Sequence, residues 1–338
     1  MTNASDLQKT LLTIDTHVDI PWPDGPSFFE DGPRCVDLPK MQRGSLSAVC
    51  FAAYIAQGPR TPEGHAAAFA QVQAMLHTIA EMGTGEARLC RTAGEIVAAA
   101  AAGHCCVVPA VENGYAIGED LGHLRALRDL GARYMTLTHN GHNAVGDSCN
   151  PRPDLGDQTE EYGGLSPFGT RVVAEMNRLG LLVDIAHAAK TTMMQAAALS
   201  RVPVLSTHSC IRALCDHPRN LDDEQLDALK ATGGLVQITA VPNFLKAHAA
   251  GTRVRPEDVT VADWADHVDY AVKRIGIEHV GISSDFDGGG GFTGWRNASE
   301  GVNLTAELLR RGYDASALAL LWGGNFLRLL RLAEERAE

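Results

Sequence analysis

The residues of this chain that could do chemistry are histidines and carboxylates placed at the ends of short apolar runs. His17 and Asp19 close one such run, and His187 and His208 each follow another. Residues i and i+2 of a strand point to the same side, so His17 and Asp19 can bind one metal ion together. A single histidine is usually a core or surface residue, but the recurrence of this pattern along the chain indicates a metal site.

Glu112 adds a carboxylate to this set, because the apolar run CCVVPAV leads directly into it. Two divalent ions held close together repel each other, and a carboxylate between them lowers that cost. We therefore expect His17, Asp19 and Glu112 to hold one ion, and Glu112, His187 and His208 to hold the other. These ligand types suit zinc, so the expected cofactor is two zinc ions per chain, although manganese, cobalt and iron accept the same ligands.

Two more polar residues follow apolar runs in the same way. His139 follows the residues YMTLT, and Asp285 follows GISS. Asp287 would point to the same side of an extended strand as Asp285, so it is the alternative acid. Asp285 could also serve only to cap the loop that follows its strand.

Short β-type runs alternate with longer helical stretches, which is typical of a parallel sheet covered by helices. Eight runs predict strands, which begin at Leu11, Ser45, Cys105, Arg133, Leu181, Val202, Gly234 and His279. Helices are predicted at 66–82, 121–130, 170–179, 191–199, 222–231, 261–274, 305–311 and 315–335, the last interrupted at Gly323 and Gly324. The long polar loop 140–165 is expected to be a lid or part of a site.

These elements predict an α/β fold, a (β/α)₈ TIM-type barrel in which residues 1–338 form one domain. The main alternative is a doubly wound open sheet, but no GxGxxG motif or P-loop follows the first predicted strand. All strands of a barrel end on the same face, where the active sites of this fold are found. The polar residues at the strand ends would therefore meet there and form a binuclear metal site.

The composition fits a large enzyme and argues against several other classes of protein. With 338 residues, of which 45% are hydrophobic, the chain can bury a sizeable core, and its net charge of −12 argues against nucleic-acid binding. No apolar stretch reaches the roughly 18 residues of a membrane helix, and no secretory signal is visible. The eight cysteines lack paired spacing, so we expect reduced thiols, with Cys105 and Cys106 in the core, and a cytoplasmic location.

The chain resembles the membrane (renal) dipeptidases, a zinc-peptidase branch of the amidohydrolase-type metal barrels. The motifs that carry the resemblance are DTHVDIPW from Asp15, VEN around Glu112, YMTLTHN from Tyr134, VDIAHAA around His187, STHS around His208, HPRN from His217 and GISSDFDG from Gly281. Their order and separation agree over nearly the whole chain. Together they are specific, although each motif alone is weak.

The resemblance implies the same metal ligands that the pattern predicts: His17 and Asp19 for the first metal, Glu112 as the bridge, and His187 with His208 for the second. It also assigns three residues around the metals. His139 matches the histidine that contacts the substrate carbonyl and the tetrahedral intermediate. Arg219 matches the arginine that binds the terminal carboxylate of the substrate, although an ordinary surface arginine is the alternative. Asp285 matches the acid that handles protons near the bridging water.

The chain departs from the family at two points. Asn113 stands where many members have glycine after the bridging glutamate, which is expected to reshape the pocket. The mammalian members are secreted, disulfide-bonded and lipid-anchored, and this sequence shows none of these features. A soluble bacterial-type enzyme therefore fits better, and a homodimer is expected because the family often forms dimers.

The expected activity is hydrolysis of the amide bond of dipeptides with a free C-terminal carboxylate. Two metals that share a water lower its pKa to about 7, so the expected nucleophile is a metal-bridged hydroxide. Two alternatives stay open: a related hydrolase acting on N-acyl amino acids, lactones or β-lactams, and a non-enzymatic barrel stabilised by metal. A scaffold has no use for His139 and Asp285 beside the metals, which argues against the second.

Overall fold

A parallel β-sheet that curves into a barrel forms the centre of the computed structural model, which describes residues 3–249 and 251–338. The strands of these residues are β1 (Ile14–Asp19), β2 (Ala48–Tyr54), β3 (Ala87–Leu89), β4 (Cys105–Glu112), β5 (Tyr134–Thr136), β6 (Leu182–Asp184), β7 (Leu205–Ser209), β8 (Leu235–Ile238) and β9 (Val280–Ile282). Eight of them pair in the order β1-β2-β4-β5-β6-β7-β8-β9, and β3 pairs with β4 outside this path.

The barrel closes through the residues that follow β9. Val18 forms a parallel bridge with Phe286, and the backbone N–H of Asp19 donates to the carbonyl of Phe286 at 3.0 Å. The N–H of Asp285 donates to the carbonyl of His17, also at 3.0 Å. The first strand thus lies beside the end of the last one, and the predicted (β/α)₈ TIM-type barrel is confirmed.

Helices follow the strands and cover the barrel. The described helices are α1 (Ala4–Gln8), α2 (Leu38–Gly44), α3 (Pro62–Met82), α4 (Ala93–Ala101), α5 (Leu121–Asp129), α6 (Pro167–Arg178), α7 (Lys190–Leu199), α8 (Asp223–Thr232), α9 (Pro242–Leu245), α10 (Val261–Ile275), α11 (Val302–Arg310), α12 (Ala315–Ala319) and α13 (Asn325–Glu335). Every predicted helix is present, with ends that differ by a few residues. The prediction missed the short helices α1, α2 and α9 and the unit formed by β3 and α4.

Side-chain caps fix the starts of several helices. Ser166 precedes Pro167 and accepts a hydrogen bond from the N–H of Gly169, as the Ser-Pro pair predicts. Asp222 and Gln225 form a capping box at the start of α8. A capping box is also present before α4, where Thr92 is followed three residues later by a glutamate. That spacing is the sequence signal with which the missed helix can be found.

The interruption predicted at Gly323 is a π-turn and not a break. Residues Leu320–Gly324 form one π-helical turn between α12 and α13, so the helical path continues through it. A Cβ atom at Gly323 would lie 2.6 Å from the carbonyl oxygen of Leu12, just before β1. Glycine at this position therefore allows the last helix to pack closely against the barrel.

The remaining expectations about composition concern the cysteines and the membrane. All eight cysteines are free thiols, and Cys105 and Cys106 are buried in the core, as predicted. Among the described residues, no helix combines the length and the apolar character that crossing a bilayer requires.

Candidate metal centre and active site

The predicted site residues meet at the carboxyl ends of the barrel strands. Three strands carry their site residues directly: β1 ends at His17 and Asp19, β4 ends at Glu112, and His208 lies within β7. Three other residues, expected at strand ends, instead lie three residues beyond β5, β6 and β9; they are His139, His187 and Asp285. The barrel strands are shorter than predicted there, but the loops still bring these side chains to the same mouth.

The first half-site consists of His17, Asp19 and Glu112. His17 Nε2 lies 3.4 Å from Glu112 Oε2 and 3.7 Å from Asp19 Oδ1. One donor atom from each of the three residues lies within 4.8 Å of the other two. His17 Nε2 and Asp19 Oδ1 are buried and have no hydrogen-bond partner among the described residues. Buried polar atoms are rarely left without a partner, so this set fits a cation.

The second half-site consists of Glu112, His187 and His208. The Nε2 atoms of the two histidines are 3.0 Å apart, and they lie 3.2 Å and 3.4 Å from Glu112 Oε1. Glu112 thus presents one carboxylate oxygen to each half-site, as expected of a bridging ligand. The donor set of imidazole nitrogens and carboxylate oxygens suits a divalent transition metal or zinc at both positions.

His139 lies at the edge of the second half-site. Its Nε2 is 3.7 Å from Glu112 Oε1, and its ring centroid is 4.0 Å from that of His187. The ring of Tyr54 packs 4.7 Å from His139 on the other side. His139 is therefore close enough to contact a group bound at the metals, in agreement with its expected position beside the substrate carbonyl.

The carboxylates in and beside the first half-site lie close together, which shifts the pKa values of the groups there. Burial and the neighbouring Glu112 raise the pKa of Asp19 well above its usual value. Burial raises the pKa of Asp285 to about 7. Burial alone would lower the pKa of His17, but the carboxylates of Glu112 and Asp19 raise it to about 10. These carboxylates therefore need a positive charge between them, which protons or a metal ion can supply.

The histidines of the second half-site show the opposite shift. Burial lowers the pKa of His139 to about 4 and holds the pKa values of His187 and His208 well below the usual 6.5. The positive charge of Arg219 adds to this effect at all three residues. Neutral imidazole is the form that binds a metal ion, so these side chains are ready to act as ligands at neutral pH.

Hydrogen bonds behind the ligands orient two of the three histidines. His17 Nδ1 donates to the hydroxyl of Tyr134 at 2.9 Å, and that hydroxyl donates to a backbone carbonyl. His208 Nδ1 donates to the hydroxyl of Thr207 at 2.8 Å, and Thr207 donates to Asp184 at 2.7 Å. When the imidazole is neutral, both contacts leave Nε2 without a proton and directed at the site, as the hydrogen-bond partners of metal-binding histidines do.

Sequence reasoning missed these supporting residues. Asp184 accepts hydrogen bonds from Thr136, Thr207 and Ala186, which occupy its carboxylate although it lies near His17 and His208. The sequence contains a signal for Asp184, which lies in an apolar run three residues before His187. An acid buried in such a run needs hydrogen-bond donors from the protein. Asp15 is also buried and precedes His17 by two residues, so the same argument applies to it.

The backbone adopts a left-handed conformation at several residues around the site. Asn113, His187, Asp285 and Asp287 all have φ values between 59° and 88°. Such values are uncommon for residues other than glycine and cluster at functional sites. A Cβ atom at Gly288 would lie 2.5 Å from Asp19 Oδ2 and 2.6 Å from Asp285 Oδ1, so a side chain there would displace both carboxylates.

The left-handed backbone explains one departure from the family and corrects one expectation. Asn113 tolerates a conformation that favours glycine, and its buried amide is bonded to neighbouring loops instead of lining the cavity. The expectation that Asn113 reshapes the pocket relative to the family stays a prediction. Asp285 and Asp287 are not in extended backbone, so strand alternation does not apply. Asp287 accepts a hydrogen bond from the N–H of Cys35 at 2.9 Å and lies outside the cavity.

Arg219 is a buried cation beside the second half-site, and not the surface arginine that was the alternative. It is 3% exposed, its Nη2 donates to the carbonyl of His208 at 3.0 Å, and its Nε has no partner among the described residues. No carboxylate of the described chain forms an ion pair with it, although the ring of Phe244 lies 5.3 Å away. A buried guanidinium without a counter-ion is suited to bind an anionic ligand.

The two half-sites open onto one cavity of about 250 Å³, which we call the metal cavity. Its walls include four of the five expected metal ligands, without His17, and the groups placed beside them; they are Asp19, Tyr54, Glu112, His139, Asn140, His187, His208, Arg219, Val241, Phe244, Asp285, Gly288 and Gly289. Asn140 belongs to the long loop 140–165, so the expectation that this loop contributes to a site is confirmed. Asp147 holds the loop in place by accepting hydrogen bonds from the N–H groups of Glu161, Tyr162 and Gly164.

Comparisons with known proteins identify the family of this chain. The sequence model of the family "Membrane dipeptidase (Peptidase family M19)" matches residues 1–338. A dipeptidase named verJ from Clonostachys rogersoniana is 34% identical over 309 residues, which cover 88% of this chain and 76% of that protein. The crystal structure of the probable dipeptidase PvdM from Pseudomonas aeruginosa is 30% identical, with a TM-score of 0.92 over 99% of this chain and 98% of that one.

A third relative shows what one of these barrels binds. The crystal structure of a metallo peptidase from Rhodobacter sphaeroides contains a phosphinate mimic of the dipeptide L-Ala-D-Ala. It is 25% identical to this chain, with a TM-score of 0.79 over 96% of this chain and 99% of that one.

Proposed function

This chain belongs to the membrane dipeptidase family, peptidase family M19, and is a metal-dependent dipeptidase; we propose that it cleaves dipeptides with a free C-terminal carboxylate and that it uses two zinc ions. The observation that carries the proposal is the metal cavity itself. It combines a buried cluster of histidines and carboxylates with a buried arginine that lacks a counter-ion.

The two half-sites are the positions for the zinc ions. The donors are imidazole nitrogens and carboxylate oxygens, which zinc prefers, and Glu112 faces both positions. When bound, the ions would polarise the amide carbonyl and lower the pKa of a water to about 7.

Arg219 would fix the substrate by its terminal carboxylate. A guanidinium can form two parallel hydrogen bonds with a carboxylate, which sets both the position and the orientation of the bound residue. Since Arg219 and His187 line the same cavity, a carboxylate on Arg219 brings the preceding amide bond towards the half-sites. This recognition selects short substrates that end close to the cleaved bond.

His139 and Asp285 would carry out the remaining steps. The pKa of His139, lowered to about 4 by burial, keeps this side chain neutral, so one N–H can donate to the carbonyl oxygen as negative charge develops. The Asp285 carboxylate accepts the proton of the attacking water and donates it to the nitrogen of the leaving amine. Both side chains line the cavity, which supports a catalytic over a scaffold role.

The comparisons favour dipeptides over N-acyl amino acids, lactones and β-lactams as substrates. The identity of the metal, the single domain, the cytoplasmic location and the homodimer stay predictions.

Assays of a dipeptide library with and without a chelator test the proposal. We expect hydrolysis that is lost with the chelator and recovers on addition of zinc. A dipeptide should be cleaved with a kcat/KM about 10 to 100 times that of its C-terminal amide, because the amide cannot form the charged pair with Arg219. Arg219→Lys should lower kcat/KM for the dipeptide by a similar factor, since lysine lacks the planar fork.

The exposed Arg255→Lys variant is the matched control and should leave both rates unchanged. Equal kcat/KM values for a dipeptide and its amide would remove Arg219 from substrate binding. The absence of hydrolysis of every dipeptide by the zinc-loaded protein would overturn the proposed function.

A further inference from the structure

A second cavity of about 330 Å³ adjoins the metal cavity, and we call it the side pocket. The two cavities share His187 and Arg219 in their walls. The other walls of the side pocket come from the loop 140–165, the start of α7 and the segment after β7. A substrate residue bound by Arg219 can therefore extend into the side pocket while the preceding residue lies at the half-sites.

The charged residues that line the side pocket are all cations within the described part of the chain: Lys190, Arg212 and Arg219. Lys190 already has two counter-ions, since its Nζ lies 2.7 Å from Asp222 and 2.6 Å from Glu224. Its charge is therefore largely neutralised before any ligand binds.

Arg212 differs, because its charge is not matched. Its nearest carboxylate, on Asp216, is 4.0 Å away and belongs to a side chain that is 97% exposed. An ion pair that exposed to solvent contributes little. The guanidinium is instead held by backbone carbonyls, with Nη2 donating to Pro218 at 3.0 Å and Nε donating to His217 at 3.3 Å.

Arg212 and Arg219 also belong to one closed loop. The loop is tied at its base, where the N–H of Arg212 donates to the carbonyl of Leu221 at 2.9 Å and Ile211 bridges Leu221. Because Arg212 holds the backbone just before Arg219, the positions of the two guanidinium groups are linked. The two guanidinium groups are therefore suited to bind two anionic groups of one ligand residue.

We propose that the side pocket receives the side chain of the C-terminal residue of the dipeptide, and that Arg212 selects an acidic side chain, aspartate or glutamate. The inference rests on the proposed function, in which Arg219 binds the terminal carboxylate. The side chain branches from the carbon that carries this carboxylate, so it lies next to Arg219 and can reach the neighbouring cavity. An acidic side chain there meets the unmatched charge of Arg212 and no carboxylate from the pocket walls.

The test compares Ala-Glu, Ala-Gln and Ala-Lys as substrates of the zinc-loaded wild-type enzyme, each with both configurations of the second residue. Glutamine has the shape of glutamate without its charge. We expect kcat/KM for Ala-Glu to exceed that for Ala-Gln by about tenfold, with Ala-Lys lowest. The preference should shrink as salt is added, since Arg212 is partly exposed. A rate for Ala-Gln or Ala-Lys equal to that for Ala-Glu would overturn the inference while the dipeptidase activity stands.

Arg212→Gln assigns the preference to this side chain. The ratio of kcat/KM between Ala-Glu and Ala-Gln should fall from about ten to about one, whereas the exposed control Arg255→Gln should keep it. The ratio is the readout because Arg212 also holds the loop of Arg219, and a shift of that loop would lower both rates together. A tenfold preference that persists in Arg212→Gln would exclude Arg212 as its source.

Discussion

The two half-sites share Glu112, yet their histidines have opposite electrostatic character. Carboxylates raise the pKa of His17 in the first half-site to about 10, whereas burial lowers the pKa values of His187 and His208 in the second well below 6.5. The difference comes from the neighbours: Asp19, Glu112 and Asp285 surround the first half-site, and Arg219 lies beside the second. Histidine side chains at the two half-sites therefore have different protonation preferences because their charged neighbours differ.

The two ends of the metal cavity therefore differ in charge. An anionic group is attracted to the end where Arg219 lies. In the proposed function, a dipeptide with its carboxylate on Arg219 would have its amide bond near Glu112, which lines the same cavity. The proposed proton transfer lies at the acidic end, where burial raises the pKa of Asp285 to about 7, close to the value that suits a general acid and base.

Removing the shared ligand should have the largest effect, because Glu112 belongs to both half-sites. Glu112→Gln should lose most of both metal ions and lower kcat at least about 10³-fold. His208→Ala should chiefly empty the second half-site and retain about one ion per chain. Metal analysis of the purified variants, with the exposed Glu63→Gln as control, measures this difference. A Glu112→Gln protein with two bound ions and full activity would show that the half-sites do not share this ligand.

Asp285 tests the acidic end without removing a ligand. Asparagine has nearly the same shape but does not accept a proton at neutral pH, so Asp285→Asn should keep its metals while kcat falls about 10² to 10⁴-fold. Asp287→Asn is the matched control, because Asp287 lies outside the metal cavity and asparagine can also accept the hydrogen bond from the N–H of Cys35. Loss of metal from Asp285→Asn would make Asp285 a ligand, and near-normal turnover would move the proton transfer to another group.

The hydrogen bonds at the Nδ1 atoms of the ligand histidines provide a third test. Thr207 joins His208 Nδ1 to Asp184, whereas His187 Nδ1 has no hydrogen-bond partner among the described residues. Thr207→Val keeps the shape but removes the hydroxyl, so zinc affinity at the second half-site should fall about 10 to 100-fold. Thr207→Ser should retain most of it. Titration with a competing chelator measures both variants, and unchanged affinity in Thr207→Val would mean that packing alone orients His208.

The sequence was sufficient to predict the barrel and the residues that meet at its mouth for a physical reason. Apolar runs followed by histidines or acids mark strand ends, and a barrel brings all strand ends to one face. This logic held for His187 and Asp285 even though the strands stop three residues earlier, since left-handed backbone at both residues turns them towards the site.

Other features could not be predicted from local patterns. β3 is three residues long, with only Ala87 buried, so its sequence has no strand periodicity. The hydrogen bond between Thr207 and Asp184 joins two strands. The difference between Lys190, which has counter-ions, and Arg212, whose charge is unmatched, depends on which carboxylates the fold places nearby. Such properties arise from contacts between distant segments, which a single sequence does not contain.

The smallest expected effect concerns His217, on the loop that presents Arg219. Its Nδ1 accepts a hydrogen bond from the N–H of Arg219 at 3.2 Å, and its ring lies 4.6 Å from that of Phe244. Burial, together with the charges of Arg219 and His248, lowers the pKa of His217 to about 4. The neutral ring is thus part of the folded loop.

The sign of the pH effect follows from this lowered pKa. Above pH 6.5 the imidazole is neutral in both the folded and unfolded states, so it adds no pH dependence. As the pH falls from 6.5 to about 4, the unfolded chain binds a proton that the folded chain does not, and the folded state loses stability. The full shift would correspond to about 3 kcal/mol, and solvent screening of this partly exposed ring reduces the expected loss to about 1 kcal/mol. His217→Asn keeps an acceptor for the N–H of Arg219 but does not titrate, so its unfolding free energy should fall less over this range. Urea unfolding of both proteins at pH 7 and pH 4.5 measures the difference, and parallel losses would show that His217 titrates as freely in the folded chain as in the unfolded one.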